Sequence, residues 1–249
     1  MIIFLIIISI IIYFLFFRKI KIEHFNNSLL DNTDIYVLNM ENDIDRLNNI
    51  KKYWNDVERI NAYNGKLIDK DMLINNSLLD PDTNMKDGQI GCYLSHLKAW
   101  KTSLHSNKKY VLVLEDDVIL ENDTKNKIND LIDFIPHDWD ILFLGGCNVY
   151  GKKINQKFLK PTKDYFTYNL CCHAMLINKK NINKLLNLMI PMTYPIDNQI
   201  RNHFDKLNIY YTYPNIINQN KDFISIRRVI DGLPQSEYWK ENHLNMKIL

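Results

Sequence analysis

Residues 111–120 read VLVLEDDVIL. Four consecutive apolar residues suit a strand buried on both faces, yet the run ends in Glu115, Asp116 and Asp117. Adjacent carboxylates repel one another, and each costs free energy where water is excluded. A strand that ends this way is expected to meet a cation. Side chains alternate along an extended strand, so Glu115 and Asp117 point one way and Asp116 the other. Open α/β sheets place ligands just beyond the C-terminal ends of their strands. There an E-x-D pair offers hard oxygens for Mg²⁺ or Mn²⁺, with nucleotide phosphates completing the coordination. A solvated acidic turn, or a cap for the helix after Asn122, accounts for the same residues without a cation, so both readings stand at this point.

Outward from this motif, strands and helices alternate. IYVLN (35–39) reads as a strand and runs into the acidic turn MENDID. Leu47, Ile50 and Trp54 then mark one helix face. VERINAYNGK (57–66) reads as a short strand ending in an Asn-Gly turn. Residues 67–87 read as loop with a single helical turn at most. Ile90, Leu94, Leu97, Trp100 and Leu104 form the apolar stripe of a helix over 88–106. After the acidic motif, a helix capped near Asn122-Asp123-Thr124 runs to Pro136. DWDILFLGG (138–146), TYNLCCHAMLIN (167–178) and NIYYTY (208–213) read as strands, and KKNINKLLNLMI (179–190) as a helix. This is the pattern of one α/β domain with an open, mostly parallel sheet flanked by helices. We place that domain at 35–235, after a polar tether (23–34) and before a tail (236–249).

The totals exclude some classes. Of 249 residues, 46% are hydrophobic and 24% charged, and the net charge is +2. So even a balance carries no electrostatic footprint for nucleic acid. Asn, Ile and Lys are abundant, as in an AT-rich genome such as that of a giant virus or a protist. Cys92, Cys147, Cys171 and Cys172 show no metal-ligand spacing and read as small buried apolar side chains. MIIFLIIISIIIYFLFF (1–17), followed by Arg18, Lys19 and Lys21, lacks a cleavage site. It reads as a single-pass anchor over residues 1–22, near the lower limit of about 17 residues for a spanning helix. Basic residues after it favour a cytoplasmic domain, whereas sequons at Asn26, Asn75 and Asn122 would suit a lumenal one.

Taken together, these segments resemble glycosyltransferase family 25, the lipopolysaccharide and collagen galactosyltransferase-like family. IYVLNMENDIDR is similar to its opening strand and Asn/Arg segment, and RINAYNGK to its second strand. GQIGCYLSHLKAW is similar to its G-x-x-G-C-x-x-S-H helix, and VLVLEDDVIL to its metal motif. DWDILFLGG, PIDNQI and NIINQNKDFISI resemble later elements in the family's order. The resemblance implies a GT-A-like fold, a UDP-sugar donor, Mn²⁺ (or Mg²⁺) and inversion at the anomeric carbon. It further implies that Asp117 binds the metal and that Glu115 binds the metal or the donor ribose. Asp116, Asn39 and Arg46 would lie by the nucleotide, with Ser95 and His96 at the floor of its pocket. Where family members often carry an additional Arg before Arg46, this chain has Glu41-Asn42-Asp43, which bears on donor preference. By the same family analogy the domain would be lumenal.

The chemistry suits these residue types. Negative charge grows on the departing diphosphate, and a divalent ion stabilises it. Inversion needs a carboxylate to take a proton from the acceptor hydroxyl. Asp197, in YPIDNQI, is the candidate base, and an N-cap for the helix that follows is its bland alternative. His173 and His203 read as a core and a surface histidine, Trp54 and Trp100 as core, and Trp139 with the Gly145-Gly146 end of its strand as either core or cleft border. The acceptor, a glycan, a lipid-linked glycan or a protein, would meet loops such as 67–87 and 147–166. Two other classes fit in outline: a catalytically silent, membrane-tethered binding module of the same fold, and an unrelated Mg²⁺-dependent phosphohydrolase.

Overall fold

The structure, a computed structural model, describes residues 13, 28–162, 169–220, 223, 225–232 and 247–248. Its elements, in chain order, are β1 (Thr33–Asn39), α1 (Ile44–Lys51), β2 (Glu58–Asn61), α2 (Lys70–Asn75), α3 (Asp87–Ser103), β3 (Tyr110–Glu115), β4 (Val118–Ile119), α4 (Thr124–Asn129), β5 (Ile141–Phe143), β6 (Tyr150–Lys153), β7 (Phe158–Pro161), β8 (Ala174–Asn178), α5 (Ile182–Leu188), α6 (Ile196–Asn202), β9 (Ile209–Thr212), β10 (Asn218–Gln219), α7 (Ile226–Ile230) and β11 (Lys247–Ile248). Among the described residues, nine strands form one sheet in the order β11-β6-β7-β9-β5-β8-β3-β1-β2. β1 pairs parallel with β2 and β3, β5 with β9, and β6 with β11. β8 is antiparallel to β3 and β5, and β7 to β6 and β9. The sheet is therefore mixed: seven strands run one way, and β7 and β8 run against them.

Alternation sends successive side chains into two cores. Tyr36, Leu38, Val111, Val113, Phe143 and Met175 face the side covered by α3, α5 and α6. Val37, Leu112, Leu114, Leu142 and Leu176 face the side holding Ile50 of α1 and Ile128 of α4. Helix α3 starts where the Gln89 side chain accepts from the Lys86 amide (2.9 Å), satisfying a donor left over at the helix start. It then buries Ile90, Tyr93, Leu97 and Trp100, each a gain of roughly 2 kcal/mol by area. Glycine is required at both points where the loop after β2 meets this helix. A methyl at Gly91 would lie 2.6 Å from the Tyr63 carbonyl oxygen, and one at Gly65 would lie 1.7 Å from that of Asp87.

Several expectations change. The 147–166 loop holds the β6–β7 hairpin, whose Lys-rich strands and Pro161 give a weak period-2 signal. The 67–87 segment does contain one short helix, α2. The helix expected to reach Pro136 ends at Asn129, whose side-chain oxygen accepts from Ser28 Oγ (2.9 Å) and the Leu30 amide (3.1 Å). Asp130 and Asp133 beyond it would oppose the helix dipole. Part of the expected tail returns to the sheet, because Lys247–Ile248 pairs with β6.

Two corrections matter for function. Cys147 and Cys171 are not independent apolar side chains but form a disulfide, with Cα atoms 5.6 Å apart. The chain leaving β5 and the chain entering β8 run antiparallel there, which brings the two within bridging range. Cys92 and Cys172 are thiols. The second correction concerns localisation. Among the described residues no helix is long and apolar enough to cross a membrane, so the expected single-pass N-terminal anchor is not supported. The segment on which it rested, residues 1–22, lies outside the described residues apart from Tyr13.

Candidate active site

The candidate site forms where β1 and β3, adjacent and parallel, reach their C-terminal ends. Glu115 and Asp116 turn to opposite sides, as alternation predicts, while Asp117 lies beyond the strand, in the turn that follows it. Asp116 turns toward α1, where its Oδ2 accepts from Asn39 Nδ2 (2.7 Å) and its Oδ1 from Arg46 Nη1 (3.1 Å). Asn39 is itself held: its Nδ2 also donates to the Asp43 carbonyl, and its Oδ1 accepts from Arg59 Nε. The Arg46 guanidinium lies 4.9 Å from the Phe223 ring centroid. Burial pushes the Asp116 carboxyl above its usual range, while Arg46 and Asn39 pull it back. Both of its oxygens are thus met by protein donors. That pairing fixes the turn 39–46 against the end of β3.

Glu115 turns the other way, toward α3. Its Oε1 lies 3.2 Å from Nε2 of the fully buried His96 and 4.0 Å from Cys92 Sγ. Cys92 and His96 are four residues apart, so one helix face presents both. Their ligand atoms and that of Glu115 lie within 4.8 Å of one another. A thiol suits a softer ion than the Mg²⁺ or Mn²⁺ expected here.

Asp117 sits in the turn between β3 and β4. Its Oδ2 accepts from Gln219 Nε2 (2.7 Å), and its carbonyl accepts from the Asn220 amide (2.6 Å). Pairing of β4 with β10 sets Val118 opposite Gln219 and so delivers that side chain. Asp117 Oδ1 is buried and has no hydrogen-bond partner. Burial first, and then the neighbouring Glu115 charge, push this carboxyl up to about 7. A buried carboxylate oxygen without a donor, beside a second carboxylate, fits a hard divalent cation. Asp117 and Glu115 are the residues that would hold it.

Asp197 lies in the first turn of α6, which Pro195 caps. Its Oδ2 accepts from the Cys171 amide (3.3 Å), and its Oδ1 from the Asn198 amide (2.9 Å). Two residues later, the His173 carbonyl accepts from the Glu115 amide (2.9 Å). A two-residue step spans at most roughly 7 Å, so the segment Cys171-Cys172-His173 ties Asp197 to the acidic end of β3. The Cys172 thiol between them is pushed well up by burial, then by the charges of Asp197 and Glu115.

The remaining expected residue, Ser95, is taken up locally. Its hydroxyl donates to the Gly91 carbonyl (2.6 Å) and accepts from the Tyr63 amide (2.9 Å), pinning the loop after β2 to α3. Trp139 is buried in the core against Tyr110. Sequence reasoning missed Gln219, which is 102 residues from its partner and carries no signal beyond lying in a resembling segment. It also missed Arg59, and it read the Gly145-Gly146 strand end as core or cleft border without the backbone junction found at Gly145. There, a methyl would lie 1.8 Å from the Ile217 carbonyl and 2.6 Å from His173 Nε2. That imidazole is itself 3.1 Å from the same carbonyl.

Comparison with known proteins places the family. The family model "Glycosyltransferase family 25 (LPS biosynthesis protein)" matches residues 32–200. Procollagen galactosyltransferase 2 of Homo sapiens is 30% identical over 127 residues, covering 45% of this chain and 20% of that protein. A putative glycosyltransferase of Haemophilus influenzae is 28% identical over 154 residues, 58% of this chain and 52% of that one. The inactive glycosyltransferase 25 family member 3 of Homo sapiens is 32% identical over 69 residues, 26% of this chain and 12% of that one. The chain thus spans between about a tenth and a half of these relatives' lengths. Among solved structures, a glycosyltransferase involved in glycosylation of the major capsid of PBCV-1 aligns at a TM-score of 0.37 and 10% identity, over 70% of this chain and 75% of that one. With the family match running from β1 into α6, this chain belongs to glycosyltransferase family 25.

Proposed function

We propose that this domain transfers a hexose, glucose or galactose, from a UDP-sugar to a hydroxyl acceptor, with inversion and with the aid of Mn²⁺ or Mg²⁺. The observation that carries the reading is the buried, unpartnered Oδ1 of Asp117 beside Glu115 at the strand ends. Asp117 and Glu115 would hold the cation, with His96 steadying Glu115 from below. When bound, the cation supplies Lewis-acid stabilisation of the charge growing on the departing diphosphate. Asn39, Arg46 and Asp116 form a braced wall on the nucleotide side. Asp197, bonded to the Cys171 amide two residues before the His173 carbonyl that holds Glu115, accepts the acceptor hydroxyl's proton as that oxygen attacks the anomeric carbon. The C1–oxygen bond to UDP breaks as the new bond forms. The acceptor is a glycan, a lipid-linked glycan or a protein.

The test is thermal stability of the chain with UDP, UDP-glucose and UDP-galactose, each with and without Mn²⁺. A rise in Tm that needs both nucleotide and metal, and is lost in Asp117→Asn, is expected. No shift with any of the three nucleotides would overturn the donor site. The inactive relative motivates one second reading, a silent binding module: it predicts the same shift with no turnover of donor, even with acceptor mixtures present.

A further inference from the structure

The mechanism gives the Cys147–Cys171 disulfide no part, yet the bond sits at the site's edge. Four residues other than glycine adopt positive φ among the described residues, and three of them surround it: Asn148 (50°), Asn169 (61°) and Cys171 (71°). Asparagine visits this region readily, but a side chain such as cysteine does so rarely and persists there only when its surroundings fix it. At Cys171 two things fix it. Its Sγ is bonded to Cys147, and its amide donates to Asp197 Oδ2. Cys147 is anchored in turn: its amide and carbonyl exchange hydrogen bonds with Leu170 (3.0 and 3.2 Å), and the Asn169 amide donates to the Asn148 carbonyl (2.9 Å). The Asn169 carbonyl accepts from Tyr211 Oη (3.2 Å), and its side-chain oxygen accepts from the Tyr150 amide (2.9 Å). From this clamp the chain passes directly to His173, whose carbonyl holds the Glu115 amide.

We propose that the Cys147–Cys171 disulfide is a positioning device for the reaction. It holds Cys171 in the left-handed conformation that aims its amide at Asp197, and so sets the candidate base relative to the carboxylates of β3. This rests on the reading of Asp197 as the base. The device is reversible in principle. A dithiol reductant supplies two electrons and two protons, the S–S bond breaks, two thiols form, and the reductant closes to its own disulfide. Cys171 is then free to leave positive φ. The Asp197 bond is lost and turnover falls, while the nucleotide side, braced by Asn39, Arg46 and Asp116, is unaffected.

The test uses the full chain, oxidised, beside Cys147→Ala and a dithiol-reduced sample. Alkylation of the denatured, unreduced protein is expected to label Cys92 and Cys172 alone, and labelling of all four cysteines overturns the proposal. Amide hydrogen exchange over 169–173 and 196–200 is expected to accelerate at least tenfold in Cys147→Ala, with α3 unchanged. Unchanged protection over 169–173, or protection lost equally in α3, overturns it. With UDP-glucose or UDP-galactose, kcat is expected to fall about tenfold to a hundredfold, since misplacement of a reacting group by about 1 Å costs that much, at an unchanged donor KM. A fall in donor affinity instead overturns it. Asp197→Asn tells the two readings apart. If that variant keeps full turnover, the base assignment fails, while exchange at 169–173 still decides whether the disulfide holds the segment.

Discussion

Asp116 and Asp117 are neighbours in sequence, yet the fold treats them in opposite ways. Asp116 is buried and satisfied, with Asn39 on one oxygen and Arg46 on the other. Asp117 has one oxygen on Gln219, while the other is buried with no donor. The protein thus supplies a countercharge for one carboxylate and leaves the other raised to about 7. A fold that keeps an uncompensated carboxylate sustains a cost that burial alone would select against. The contrast teaches which of two adjacent carboxylates the protein completes by itself and which it leaves open.

The strongest way to break this contrast is Asp117→Asn, which keeps shape and the Gln219 contact but removes the charge. Transfer is expected to fall by about a hundredfold or more, the scale of losing a principal electrostatic stabiliser. Without metal the same variant should be more stable than wild type at pH 8. Asp117's pKa is raised, so the folded state holds a proton that the unfolded chain gives up from the ordinary carboxylate range upward. The stability tied to that proton is present at low pH and is lost as pH rises through about 7. Asn never ionises, so its advantage is absent near pH 4, grows as pH rises toward 7 and is complete above it, on the order of 4 kcal/mol. Denaturant melts at the two pH values check it. A variant equally destabilised at both would break the contrast.

Asp116→Ala attacks the other side. It removes the carboxylate to which both Arg46, only 12% exposed, and Asn39 donate, and should cost about 3 kcal/mol whether or not metal is present. A metal-dependent loss would mean that Asp116, too, belongs to the cation. A gentler probe is pH alone. Since a metal must displace Asp117's proton, Mn²⁺ affinity should weaken by up to about tenfold per pH unit below 7 and level off above it, as read by calorimetry. The smallest effect is expected from Gln219→Ala. It removes the one donor to Asp117 Oδ2 among the described residues and should shift Mn²⁺ binding by about 1 kcal/mol, with no change in the Arg46 side.

Much of this was legible before any coordinates. Period-2 alternation through VLVLEDD separates Glu115 from Asp116, and the structure turns them to α3 and α1. Of the stripe Ile90, Leu94, Leu97, Trp100 and Leu104, three are buried and Leu94 packs half-buried against them, whereas Leu104 lies past the last helical residue, Ser103, and is exposed. What stayed hidden depends on long-range pairing. Gln219 reaches Asp117 through the two-residue strands β4 and β10, too short to leave a pattern. The disulfide joins residues 24 apart, and cysteine spacing alone does not specify a partner. β8 runs against its neighbours because the Cys171–His173 segment enters at the active edge. Asp197 was readable as a base or a cap, and its carboxylate receives both the Asn198 amide of its own helix turn and a distant amide.

The Gly145 junction carries one last consequence. Three stretches that are far apart along the chain, the exit of β5, the entry of β8 and the approach to β10, meet where a hydrogen atom stands in place of a side chain. Gly145→Ala alters no charge, no polar group and no residue of the acidic trio. Yet it asks the Ile217 carbonyl to retreat, and Gln219 lies two residues further along that stretch. One carbon atom is therefore the most economical lever on the Asp117 carboxylate, acting through the spacing of the backbone alone.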